Sequence, residues 1–102
     1  MSLTYATIFQ NEIRTLELSI RNEDETRFIP TSASVYVTDL DGEKVEDCTV
    51  SIGTSGGVNE NVITALITKN TSQIPAEYLV YWNIVKNTNT FVHRTNLLVL
   101  EL

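Results

Sequence analysis

The chain has 102 residues, 42% of them hydrophobic and 20% charged, so it reads as one domain over 1–102: two cores cut from this length would each be too small to hold unaided. Seven Lys and Arg against thirteen Asp and Glu give a net charge of −6, which argues against nucleic acid as a partner, because phosphate binding needs clustered bases. One cysteine excludes an intrachain disulfide, and one cysteine with one histidine excludes a structural zinc site of the usual Cys/His type.

Thr, Val and Ile supply 33 of the residues, and such β-branched side chains fit pleated strands better than helices, so the composition points to an all-β fold. Met1 to Phe9 has neither the basic start nor the apolar run of a signal peptide, and no stretch approaches the roughly 20 apolar residues of a membrane span. Residues 1–11 are expected to form a peripheral strand, near Tyr5–Phe9, or an arm. Leu16, Leu18 and Ile20 alternate with Thr15, Glu17, Ser19 and Arg21, which predicts a half-buried strand. The polar stretch 22–27 reads as a loop that ends in Phe28-Ile29-Pro30, with Phe28 and Ile29 tucked against the core.

Ala33, Val35 and Val37 are the inward set of the next strand, opposite Ser34, Tyr36 and Thr38. Asp39-Leu40-Asp41-Gly42 predicts a hairpin turn with Gly42 at positive φ, and the return strand runs from Glu43 to Ile52 with Cys48, Val50 and Ile52 on one face. Gly53 to Gly57 reads as a flexible loop tip. Asn61–Lys69 alternates with apolar residues on both faces, so its inward face stays open. A long hairpin closes the chain: Glu77–Lys86, a turn at Asn87-Thr88-Asn89, and Thr90–Leu102, with Tyr78, Val80, Trp82 and Ile84 facing inward and Trp82 at the centre. About seven strands result, the number of an immunoglobulin-like antiparallel β-sandwich.

Little in this pattern supplies catalysis. His93 is the only imidazole and lies in a strand beside Arg94, Cys48 reads as a buried and inert thiol, and the Asp39–Gly42 run lacks the spacing of a calcium loop. The glycines of 53–57 lack the lysine of a phosphate loop. No catalytic residue, cofactor, metal or small-molecule substrate is expected. What stands out is apolar surplus. A two-layer sandwich buries one face of each strand, which leaves Leu79, Tyr81, Val85 and one side of 97–102 without a place in the core. Either the N-terminal segment with Leu3, Tyr5, Ile8 and Phe9 covers them or a partner does; a C-terminal edge strand could also take up a strand from another subunit. With Tyr36 on a sheet face and the acidic tip at Asp39 and Asp41, these are the candidate interface residues, and Tyr36 and Tyr81 also suit an alternative role as a ligand- or carbohydrate-binding module.

The succession of Leu16-Glu17-Leu18-Ser19-Ile20, then Val35-Tyr36-Val37-Thr38-Asp39-Leu40-Asp41-Gly42-Glu43-Lys44-Val45, the 61–69 strand, and Ile74-Pro75-Ala76-Glu77-Tyr78-Leu79-Val80-Tyr81-Trp82 before a closing hairpin resembles the small immunoglobulin-like β-sandwich modules of tailed bacteriophages, found in head-tail, tail and baseplate proteins. Where such modules often have a glycine turn, this chain has Asn87, which tolerates left-handed backbone. The resemblance implies a non-enzymatic virion component, assembled in the host cytoplasm, that forms a homo-oligomer and docks on other virion proteins, with no membrane or nucleic-acid partner.

Overall fold

Eight strands and one short helix build two sheets in the computed structural model, which describes all residues except 1–3, 22, 23, 25–27 and 55. In chain order they are β1 (Thr4–Phe9), β2 (Arg14–Ser19), β3 (Ser32–Thr38), β4 (Lys44–Asp47), β5 (Thr49–Ile52), β6 (Val62–Ile67), α1 (Lys69–Ser72), β7 (Ala76–Lys86) and β8 (Asn89–Leu100). One sheet has the order β1-β8-β7-β3-β4, the other β2-β6-β5. The fold is all-β and sandwich-like, with the core between the sheets.

The alternation read from sequence sets which residues meet there. Val35 and Val37 of β3, Tyr78, Val80, Trp82 and Ile84 of β7, Leu97 and Val99 of β8 and Ile8 of β1 face Leu16, Ile63, Ala65 and Ile67 of the smaller sheet, all buried. Burying a side chain of this size contributes roughly 1.5–3 kcal/mol. Trp82 lies at the centre, and its indole N–H donates to Thr95 Oγ1 at 2.9 Å, so the one polar atom of the ring is satisfied. For Asn61–Lys69 the structure selects Ile63, Ala65 and Ile67 as the inward set.

Four local features differ from the sequence reading. The return strand expected over 43–52 is two strands: the chain leaves the large sheet after Asp47 and enters the small one at Thr49, pivoting at Cys48, whose N–H donates to Val35 O at 2.9 Å. Cys48 is half-buried, not buried, because it sits at this crossing. Phe28 packs on the core, and its ring meets Phe91 edge-on at 5.4 Å, but Ile29 is exposed. Within 53–57, Gly53 is set by close approach: a Cβ there would lie 1.7 Å from the Asn59 carbonyl oxygen, so no side chain fits. Most of the polar stretch 22–27 lies outside the described residues, as does Leu3.

The turns obey the expected chemistry. Gly42 has φ +90, and Asp39 Oδ1 accepts from the N–H groups of Asp41 (2.9 Å) and Glu43 (3.0 Å), which fastens the β3–β4 hairpin. Asn87 takes φ 56 in the β7–β8 turn, as its short amide side chain permits. A helical turn that the sequence reading did not find, α1, begins at Thr68, whose side chain accepts from Asn70 N–H. It is held by the buried carboxylate of Glu46, which accepts from Thr68 Oγ1 (2.6 Å), Thr71 Oγ1 (2.7 Å) and Thr68 N–H (3.2 Å). Glu46 lies on β4 of the large sheet and α1 follows β6 of the small one, so this carboxylate ties the two sheets together at their rim.

Candidate functional site

The register of the large sheet brings most of the predicted interface residues onto one surface. In the β7–β8 ladder Leu79 faces Asn96, Tyr81 faces Arg94 and Val85 faces Thr90, while in the β3–β7 ladder Tyr36 faces Tyr81. Residues directly opposite in a ladder share a face, and this one points away from the core. Leu79, Tyr81, Val85 and Tyr36 are each half-buried. Tyr36 and Tyr81 stack with ring centroids 5.1 Å apart, and the Lys44 ammonium lies 5.2 Å from the Tyr36 ring, held also by Asp47 at 3.1 Å. Asp39 and Asp41 are placed elsewhere, at the tip of the β3–β4 hairpin. The Asp39 carboxylate is occupied by its own turn, and only Asp41 is fully exposed.

The N-terminal strand does not lie over this surface. β1 pairs in parallel with β8 in the same sheet, Tyr5 opposite Asn96, Thr7 opposite Leu98 and Phe9 opposite Leu100. Ile8 therefore enters the core, while Tyr5 and Phe9 enlarge the outer apolar face. β8 in turn lies between β1 and β7, so it is not an edge strand open to strand addition. The turn that carries β1 into β2 is pinned: Gln10 N–H donates to Leu100 O (2.7 Å), Asn11 N–H to Ser72 O (3.0 Å) and Ser72 Oγ to Glu12 O (2.7 Å). Asn11 takes φ 65 there. The Glu12 carboxylate accepts from Phe9 N–H (2.9 Å) and Arg14 Nε (2.7 Å), and these two contacts hold its pKa below the usual value.

The resulting surface has Tyr5 (69% exposed), Val92 (51%), Phe9 (47%), Leu98 (42%) and Leu100 (37%) on β1 and β8, to one side of the Tyr36–Tyr81 stack on β3 and β7. The sequence reading places one side of 97–102 in the apolar surplus and offers Tyr5 and Phe9 as its cover; Val92 is not singled out there, and Tyr5 and Phe9 join the surface instead of covering it. The signal was the period-2 alternation of Tyr5-x-Thr7-x-Phe9 and Leu98-x-Leu100, which assigns a face only once the hairpin register fixes parity. Asn96 sits among them with its Oδ1 shielded from solvent and without a hydrogen-bond partner, a condition that costs roughly 1–3 kcal/mol for a buried polar atom.

Elsewhere the chemistry is sparse. His93 lies opposite Trp82 on the core side of β8, and burial lowers its pKa. Burial, followed by the nearby Glu46 and Asp47 carboxylates, pushes the Cys48 thiol up to about 12, so it carries almost no thiolate at neutral pH. Among the described residues no three His, Cys, Asp or Glu side chains converge on a metal-sized site, and no helix is long and apolar enough to cross a membrane. A depression of about 170 Å³ on the outside of the small sheet, lined by Glu17, Ser51, Gly53, Asn59, Val62 and Thr64, is below the roughly 300 Å³ at which small-molecule sites begin. Comparison with protein-family models and with curated proteins gives no match for this chain.

Proposed function

We propose that the chain is a non-enzymatic structural or adaptor protein of a phage particle, in the head-tail, tail or baseplate region, and that it works by docking the outer face of its large sheet on a neighbouring protein. The observation that carries the docking role is that face: five large apolar side chains of β1 and β8, each more than a third exposed, share one surface with an aromatic stack on β3 and β7. Large apolar side chains gathered on one exposed sheet face mark interaction sites. The stack itself supplies the rigid aromatic area that interfaces favour.

The virion setting rests on the resemblance of the strand, Asp-x-Asp-Gly and Pro-Ala-x-Tyr pattern to phage modules; the strand order bears only on the sandwich. Lettering β2 to β8 as B, C, C′, D, E, F and G gives sheets G-F-C-C′ and B-E-D, with β1 as a fifth strand beside G, an order compatible with an immunoglobulin-like sandwich. Carbohydrate binding fits less well, because sugar rings stack on open aromatic faces, whereas Tyr36 is covered by Tyr81 on one side and approached by Lys44.

The test is incorporation. Particles produced by a host carrying the gene, purified by density gradient, should contain the chain by mass spectrometry, and a folded Leu98→Glu variant should be depleted at least about tenfold, since a charge at a docked apolar centre must be desolvated. Particles that lack the chain, or incorporate Leu98→Glu as well as the wild type, contradict the proposal.

A further inference from the structure

We infer that the free edge of β1 pairs with the β1 edge of a second copy of this chain, antiparallel and about a two-fold axis at Ala6, so that the two five-stranded sheets run on into each other. This leaves the outer face of the large sheet open to a different protein. Three observations carry it.

The first is the edge itself. Four described strands border a sheet: β1 and β4 in the large one, β2 and β5 in the small one. Open edges invite pairing, and proteins blunt them with charge, bulges or shortness. β4 has all three, being four residues long, with Lys44 and Asp47 exposed and a register shift in its pairing with β3. β2 carries Arg14 and Glu17, and β5 is four residues long. β1, Thr-Tyr-Ala-Thr-Ile-Phe, has six residues, no charge, no proline and no shift in register along β8. The chain bears −6, so two copies repel over most of their surface. At this edge they do not, and the outer face beside it balances Glu77 and Asp47 with Arg94 and Lys44.

The second is which backbone groups point outward. Gln10 N–H donates to Leu100 O and continues the β8 ladder, while on the other side Phe9 N–H donates to Glu12 Oε1 and Phe9 O accepts from Glu12 N–H. Alternation along the strand then turns the N–H and C=O of Thr4, Ala6 and Ile8 toward β8 and those of Tyr5 and Thr7 toward the free edge. Glu12 closes the edge at Phe9, so the four groups that remain are symmetric about Ala6. Antiparallel pairing there sets Tyr5 opposite the second copy's Thr7 and Thr7 opposite its Tyr5. Each pair exchanges two hydrogen bonds, and all four groups find a partner. Pairing centred on Thr7 would instead aim Tyr5 at the occupied groups of Phe9.

The third is what this register does with side chains. On the outer face Tyr5, 69% exposed, lies across from the second copy's Thr7, with that copy's Tyr5 and Phe9 on the diagonals, within reach of aromatic contact. On the inner face Ala6 meets the second copy's Ala6 at the axis, where the closer spacing of about 4.5 Å between Cα atoms of a pair without hydrogen bonds suits a small side chain. Six residues of strand span about 20 Å, less than a standard interface, so the pair is reversible, with a Kd on the order of 100 μM.

Two measurements on the full chain between about 10 μM and about 1 mM test this. Sedimentation equilibrium should show a monomer and dimer in exchange. Amide hydrogen exchange by nuclear magnetic resonance should show the Tyr5 and Thr7 N–H groups about fourfold slower at the top of the range than at the bottom, while Ala6 and Ile8, bonded to β8, are slow throughout. Thr7→Pro removes an N–H that no strand holds in the monomer, so the fold, checked by circular dichroism, should stand while the Kd rises at least about tenfold. Thr7→Lys leaves the backbone untouched, brings two ammonium groups together near the axis and should also weaken the pair about tenfold. Thr7→Val keeps the N–H and should stay within about threefold of wild type. A wild type monomeric to the top of the range, with Tyr5 and Thr7 exchange independent of concentration, overturns the pairing. A dimer that Thr7→Pro and Thr7→Lys leave intact forms elsewhere on the surface and overturns it equally, whatever the outcome of incorporation into particles.

Discussion

Away from the core, the small sheet presents Thr15, Glu17, Ser19, Thr49, Ser51 and Thr64, with Val62 and Leu66 half-buried among them, while the large sheet presents Tyr5, Phe9, Val92, Leu98 and Leu100 on the same face as stacked Tyr36 and Tyr81. Both faces are equally free of secondary structure laid across them among the described residues, and both back onto the same core. The difference is therefore not a consequence of folding. A solvated strand face needs only β-branched and polar residues, as the small sheet has; five large apolar side chains on the other face add nothing to the core, and the proposed docking role is the reading that gives them a use. The two surfaces also differ in charge distribution, since the large sheet's outer face is balanced although the chain as a whole is acidic.

The comparison supposes that the sheets share one core, and the largest effect tests that. Trp82→Ala should cost about 3–5 kcal/mol and unfold both sheets in one transition, followed in urea by far-UV circular dichroism; two separated transitions would mean that the sheets are held independently. The next largest effect concerns the rim. Glu46→Ala leaves the Thr68 and Thr71 hydroxyls and the Thr68 N–H without their acceptor and should cost about 2–3 kcal/mol, whereas Glu17→Ala on the wet face should stay within about 0.5 kcal/mol. Equal effects would deny the carboxylate its role in joining the sheets.

The smallest effect is pH-dependent. Burial lowers the folded-state pKa of His93, so the unfolded chain binds the proton more readily, and stability that is fully present above about pH 6.5 is lost as pH falls below it. The urea midpoint should drop between pH 7.5 and 5.5 and lose that slope in His93→Gln. A slope unchanged by the substitution would place the titrating group elsewhere. The window stays above the range in which Glu12, with its own lowered pKa, begins to protonate.

Much of this was legible from alternation alone. The inward sets Val35-Val37 and Tyr78-Val80-Trp82-Ile84, the left-handed Gly42 and the Asn87 turn all follow from residue type and period two, and Leu79, Tyr81 and Val85 stood out because the core had no room for them. Three things were hidden, each for a physical reason. Where one strand becomes two is decided by packing across the sandwich at Cys48, and β-propensity is the same on both sides of that point. The α1 turn is too short to show a period, and the Glu46 carboxylate that holds its Thr68 cap and Thr71 is distant in sequence. The position of β1 was ambiguous because Ile8 and Phe9 are both apolar, and only parallel pairing with β8 sends one inward and the other out.

The central claim, that the outer face of the large sheet is a docking surface and that of the small sheet is not, is tested most directly by hydroxyl-radical footprinting of the chain alone at low concentration and in purified particles, read by mass spectrometry. Tyr5, Phe9, Val92 and Leu98 should be protected several-fold in the particle, with Val62 and Leu66 on the small sheet labelled equally in both; equal labelling of the two faces, or protection confined to Val62 and Leu66, would contradict it.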